Sequence, residues 1–249
     1  MKKLAFSLML LCMAYGQAGA QTTLSCDVNG DGVVNTSDIT SLVNVILNPP
    51  TCVDLGLPGG VLWATCNVGA ESPEESGLYF AWGETTGYKA TDSHDFSWTT
   101  YKWCNGTSST LTKYITNSTF GMVDNRKVLE SSDDVVASIW GGEYRMPTLQ
   151  ECADLINSTY TTSTWTTLNG VYGLKVTSKS NGNSIFLPAA GKFDGTSVTK
   201  QGTYGIFWSS EISNNNCYVN ELYVSSSNVT VSISQRTIGM SVRPVRATK

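Results

Sequence analysis

The sequence predicts an α+β fold, with antiparallel hairpins and two helices bunched mid-chain, behind a small loop-helix unit. Three observations predict it. Asn181-Gly182 separates the apolar runs 171–177 and 184–187, a strong short-range hairpin signal. Two stretches near 133–140 and 147–156 carry apolar residues at helical spacing behind acidic or capping starts. Between residues 27 and 38, oxygen-bearing side chains recur at fixed intervals ahead of an amphipathic stripe.

The first twenty residues read as a secretory leader. Met1-Lys2-Lys3 is the positive end, 4–13 the apolar run and Ala18-Gly19-Ala20 the small-residue cleavage site, so the mature chain is expected to start at Gln21. Leu11 before Cys12 argues against a lipoprotein signal. No later apolar run approaches the roughly 18 residues of a membrane span. Export is therefore expected, with periplasm, cell surface and medium as possible destinations.

In the next segment Asp27, Asn29, Asp31, Asn35 and Asp38 occupy positions 1, 3, 5, 9 and 12 of a twelve-residue loop. Val33 offers its carbonyl at position 7, and Gly32 supplies the bend at position 6. Hard Ca²⁺ takes about six to eight oxygens, which these groups and water can supply; an ordinary Asn/Asp/Gly turn is the plain alternative. Ile39, Leu42, Val43 and Ile46 then line one face of a helix ended by Asn48-Pro49-Pro50. Loop and helix, with Asp38 at position 12, resemble half of a type I dockerin. The resemblance implies structural calcium, partner contacts at Thr36 and Ser37, and a cohesin-like partner. Dockerins hold two such repeats and this chain has one, so its helix must lean on something else.

From Val53 onward short apolar runs alternate with Gly, Asn and Ser. Segments 61–64 and 78–82 read as strands, and 85–127 as a long ordered loop region rich in Thr, Ser, Asn and Tyr. Val135, Val136, Ile139 and Trp140 form the face of a helix opened by Asp133-Asp134. Pro147-Thr148 opens the second helix with a capping box to Glu151, burying Leu149, Cys152, Leu155 and Ile156. Segments 171–177, 184–187, 205–209, 218–224, 229–233 and 241–245 read as strands. A domain boundary is expected between residues 52 and 53. Six cysteines follow the leader, at 26, 52, 66, 104, 152 and 217, an even count that favours disulfides in an exported chain. Six allow fifteen pairings; Cys26 with Cys52, flanking the metal loop, is preferred.

Nine strings stand in a recognisable order: 53–58 (VDLGLP), 62–69 (LWATCNVG), 79–84 (YFAWGE), 101–104 (YKWC), 140–142 (WGG), 145–148 (RMPT), 186–191 (FLPAAG), 207–210 (FWSS) and 239–245 (GMSVRPV). Together they resemble the Fibrobacter succinogenes major paralogous domain, an exported bacterial family common in Bacteroidetes. More distantly, 145–148 and the closing 239–243 resemble the C-type lectin-like fold shared with formylglycine-generating enzymes. The resemblance implies an α+β C-type lectin-like domain over residues 53–249 in an exported setting, while activity in the family is largely undefined.

The composition excludes some functions. Removing a leader that holds Lys2 and Lys3 takes the formal charge from −4 to −6, which leaves no basic footprint for nucleic acid. The single histidine, His94, sits between Asp92 and Asp95 and cannot build the usual zinc clusters. Glu74-Glu75 and Asp133-Asp134 are adjacent pairs, which in regular structure do not converge on one bond. The calcium-lectin strings Glu-Pro-Asn and Trp-Asn-Asp are missing, as is the cysteine pair of formylglycine-generating enzymes. Trp63, Trp82, Trp140 and Trp208 read as core. Trp98, Tyr101, Trp103 and Tyr114, in the polar stretch, are candidates for a ligand-stacking platform, with core packing as the alternative. The expectation is a non-catalytic recognition or adhesion protein for glycan or protein. An enzyme of unrecognised type and a structural subunit of a surface assembly remain the alternatives.

Overall fold

The computed structural model describes residues 49–248 and, apart from them, Thr36. The chain divides into two compact units, 1–49 and 50–249. Thr36 is helical and exposed; the loop residues Asp27, Asn29, Asp31, Val33, Asn35 and Asp38, together with Ser37, lie outside the described residues. Cys52, which the sequence reading put at the end of the first unit, belongs to a strand of the second.

Unit 50–249 is built on four small antiparallel sheets. The first runs β1 (Cys52–Asp54), β2 (Leu62–Ala64), β12 (Val245–Arg246), β3 (Tyr144–Arg145) in spatial order. The second runs β11 (Val229–Gln235), β10 (Tyr218–Ser225), β9 (Tyr204–Ile212); the third runs β4 (Thr161–Leu168), β5 (Val171–Ser178), β6 (Ser184–Pro188). A small ribbon pairs β7 (Lys192–Asp194) with β8 (Ser197–Thr199).

The β9–β10 pair is the central wall. Phe207, Leu222 and Val224 face one core with Trp63, Leu155, Leu174, Val176 and Leu187. Ile206, Trp208 and Val219 face a second core with Trp82, Tyr114, Val135, Val136, Met240 and Val242. Burial on both faces explains why 204–209 reads as a nearly unbroken apolar run.

The expected α+β C-type lectin-like domain is corrected by this architecture: the chain is β-rich, with 37% strand and 7% helix. Both expected helices of this unit form, but they are single short segments, α1 (Val135–Trp140) and α2 (Leu149–Leu155). Asp134 caps α1 through Val136 N and Ala137 N, and Gly141 ends it at φ 60°. Thr148 and Glu151 close the capping box of α2. Helices of six and seven residues cannot form a layer of their own, so they fill in the cores: α2 packs across β9, β10 and β11 and buries Cys152 and Leu155 in the first, and α1 buries Val135 and Val136 in the second.

The sequence reading passed over β4, whose register with β5 runs unbroken from Thr161↔Ser178 to Leu168↔Val171. The two join through Asn169-Gly170, whose φ values of 48° and 84° are those of a tight primed turn. Segment 78–82, expected as a strand, makes only the isolated bridges Tyr79↔Tyr88 and Phe80↔Met240. The 85–127 stretch is ordered turns and bridges, as its aromatic content suggests.

Candidate functional site

A cleft of about 410 Å³ opens on the outer face of the β4–β5–β6 sheet. Thr166, Thr167, Leu168, Lys175, Ser184, Ile185 and Phe186 line it from the sheet, and Thr65 and Pro73 close it from the loop after β2. Strand alternation puts Lys175 on this face while Leu174 and Val176 enter the core beneath. Gly173 keeps room for the Phe186 ring: a Cβ there would lie 2.4 Å from Leu187 O and 2.5 Å from Phe186 Cζ.

Two ties hold the loop wall to the sheet. The fully buried Arg243 donates through Nη1 to Ala64 O (3.0 Å) and Thr65 O, through Nε to Asn67 Oδ1 (2.9 Å) and through Nη2 to Phe186 O (2.9 Å). It thus bridges residues from opposite sides of the cleft. Burial pulls this guanidinium down to about 10, with the nearby Cys66 opposing; its oxygen partners are three carbonyls and an amide. At the far end Asn169 Nδ2 donates to Glu74 Oε1 at 2.7 Å, fixing the residue after Pro73 to the β4–β5 turn. That bond holds the exposed Glu74 carboxyl below its usual range.

The four expected platform aromatics gather elsewhere, around a second buried arginine. Arg236 donates from Nε to Tyr101 Oη (2.9 Å), from Nη1 to Asn216 O (3.2 Å) and from Nη2 to Lys113 O (3.2 Å). Its guanidinium lies 5.0 Å from the Trp82 ring and 5.4 Å from Tyr101. Tyr101 and Tyr114 are buried. The Tyr101 hydroxyl donates to Trp82 O at 2.7 Å, and burial raises its pKa despite Arg236.

Trp98 packs edge-on against Tyr101, and Trp103 lies edge-on to Tyr114 with its Nε1 donating to Gly83 O at 2.7 Å. The ammonium groups of Lys102 and Lys113 sit 4.4 and 4.8 Å from the Trp103 ring. Lys113 also bridges Glu130 and Asp133 at 2.5 Å each; those bonds outweigh burial and raise its pKa. Burial, then the bond to Asp133, pushes Tyr114 up to about 12. The four rings therefore serve mainly as a packed, cation-centred support, with only Trp98 and Trp103 partly reaching solvent.

The remaining candidates scatter. His94 stacks on Tyr88 with ring centroids 3.6 Å apart, and burial lowers its pKa against the pull of Asp95 and Asp92. Asp133 pairs with Lys113 while Asp134 caps α1; Glu75 accepts from Glu71 N at 2.8 Å. The five described cysteines, 52, 66, 104, 152 and 217, are thiols, and a pairing with Cys26 lies outside the described residues. Thr65, Lys175, Ser184 and Phe186 escaped the sequence reading. The alternation of 171–177 is the signal that puts Lys175 opposite the core face.

In comparison with known proteins, no family model, no curated protein and no solved structure matches the chain. No described helix is long and apolar enough to cross a membrane.

Proposed function

We propose that the chain is an exported, non-catalytic recognition protein that holds an acidic glycan in the cleft between Thr65 and Phe186. The cleft carries this reading. Its volume of about 410 Å³ suits one or two sugar rings. The hydroxyls of Thr166 and Ser184, on the same face as Lys175, both donate and accept, as sugar hydroxyls require. Lys175, the one ionisable side chain in the lining, meets a single carboxylate or sulfate. Acid–base catalysis calls for several titratable groups aimed at one bond, and this lining offers one ammonium.

The leader at 1–20 and the nine strings resembling the Fibrobacter succinogenes major paralogous domain support the exported setting. The oxygen spacing of 27–38 supports a structural calcium clasp there, with Thr36 and Ser37 beside it for a cohesin-like partner.

The test is an array of neutral, carboxylated and sulfated glycans probed with the full chain and with Lys175→Ala. Retention of acidic glycans is expected, at least tenfold weaker for the variant. Silence toward every acidic glycan, or steady conversion of any of them, rejects the reading.

A further inference from the structure

The outer edge of β4 is bare over three successive outward-facing residues. The bond from Ala189 N to Tyr172 O directs the even-numbered groups of β5 toward β6, so its odd-numbered groups, and with them Thr162, Thr164, Thr166 and Leu168, complete the β4–β5 ladder. The backbone groups of Ser163, Trp165 and Thr167 therefore point outward. The outward N–H of Thr161 is already used on Asn157 O at 3.0 Å. Among the described residues, nothing reaches the six N–H and C=O groups of the other three.

β11, a free edge of the second sheet, is partly occupied. Thr230 Oγ1 donates to Val231 O at 3.1 Å and Ile238 N to Gln235 O at 3.1 Å, so two of its outward carbonyls are taken. β4 carries no charge, no proline and no bulge over eight residues, none of the devices that keep an edge from pairing.

We propose that a second copy of this chain pairs antiparallel with β4, joining two β4–β5–β6 sheets into one six-stranded sheet. The argument for a copy is charge. In a two-fold contact every side chain meets surface of its own kind, so any charged residue near the axis faces its own sign. Thr161–Leu168 is the uncharged strand such a contact needs, on a chain whose formal net charge is −4. Side chains of opposed residues share a face, so the axis passes through Thr164 or Trp165, and either register makes six new N–H···O bonds. The contact stands on the strand edge alone and does not depend on the glycan reading.

Sedimentation equilibrium of the full chain over a wide concentration range tests it. A reversible dimer is expected. Ser163→Pro removes an outward donor without touching the ladder to β5, and the double variant Ser163→Lys, Thr167→Lys places like charges opposite or diagonal to one another across the axis in both registers. Each is expected to weaken association at least tenfold, with the circular dichroism spectrum of the double variant unchanged. A wild-type chain that stays monomeric at the highest concentration overturns the proposal. So does a dimer indifferent to both changes, or one dissociated instead by Ile233→Lys on β11.

Discussion

Two buried side chains carry charge chemistry that can be tested singly. Arg243 has four oxygen partners in the interior, and truncating it leaves them all unsatisfied while removing the tie across the cleft. Arg243→Ala is expected to cost about 3–5 kcal/mol in denaturant unfolding, the range for breaking a buried charged network. Glu221 is the converse case: only 3% exposed, with Oε2 unpartnered, it sits on β10 facing the second core. Burial pushes its carboxyl up to about 7 from an ordinary 4.5, and Ser234 and Lys192 recover only part of that. The folded state thus holds a proton the unfolded chain has released. Its contribution is full below about pH 4.5 and is lost as pH rises through about 7; the difference is about 3 kcal/mol. Glu221→Gln is expected to flatten the stability profile between those limits, as read by thermal melts across pH. An unchanged profile means that some other group governs the slope.

At the level of elements, what the chain announces locally is what the structure contains. The capping box at Thr148–Glu151 and the Asn181-Gly182 hairpin rest on contacts within a few residues, so the sequence displays them openly. β4 was hidden because TTSTWTTL has little apolar alternation: an edge strand with an exposed face needs little. The α+β expectation fails on proportion: both helices of this unit form where the sequence puts them, but Gly141 stops α1 after six residues and strands make up most of the regular structure. The cleft was out of reach for a third reason. Its walls come from 65–73, 166–168 and 175–186 and are joined by a residue 178 positions from Thr65. One glycine reports directly on sheet and cleft together. In Gly173→Ala the new methyl meets Leu187 O and the Phe186 ring, which is expected to cost about 1–3 kcal/mol as overpacking does. The same change displaces Phe186, so acidic-glycan affinity should fall with stability; calorimetric titration on the folded variant separates the two effects.

For the molecule as a whole, the units 1–49 and 50–249 pose separate questions. Calorimetry with Ca²⁺ on the full chain and on Asp27→Ala, Asp38→Ala is expected to show binding that the double variant loses. Ligand linkage would then raise the melting temperature of only the unit that holds the ion. Heat release that persists in the variant would place the ion elsewhere. Pairing through β4 has a geometric corollary for recognition. The two clefts fall on the same face of the joined sheet, with the Lys175 strands three spacings, about 14 Å, apart. A polymer bearing repeated acidic sugars could then engage both, gaining avidity without any new contact.

The tie made by Arg243 also has a consequence in time. Thr65, Asn67 and Phe186 are synthesised well ahead of it, so until Arg243 arrives the cleft walls lack this clamp and keep just the Asn169–Glu74 tie at the far end. Closure over so long a separation is slow compared with local hairpins. The nascent protein therefore passes through a period in which its hairpins exist but the cleft is tied at one end alone, and the cleft takes its final shape in one late step.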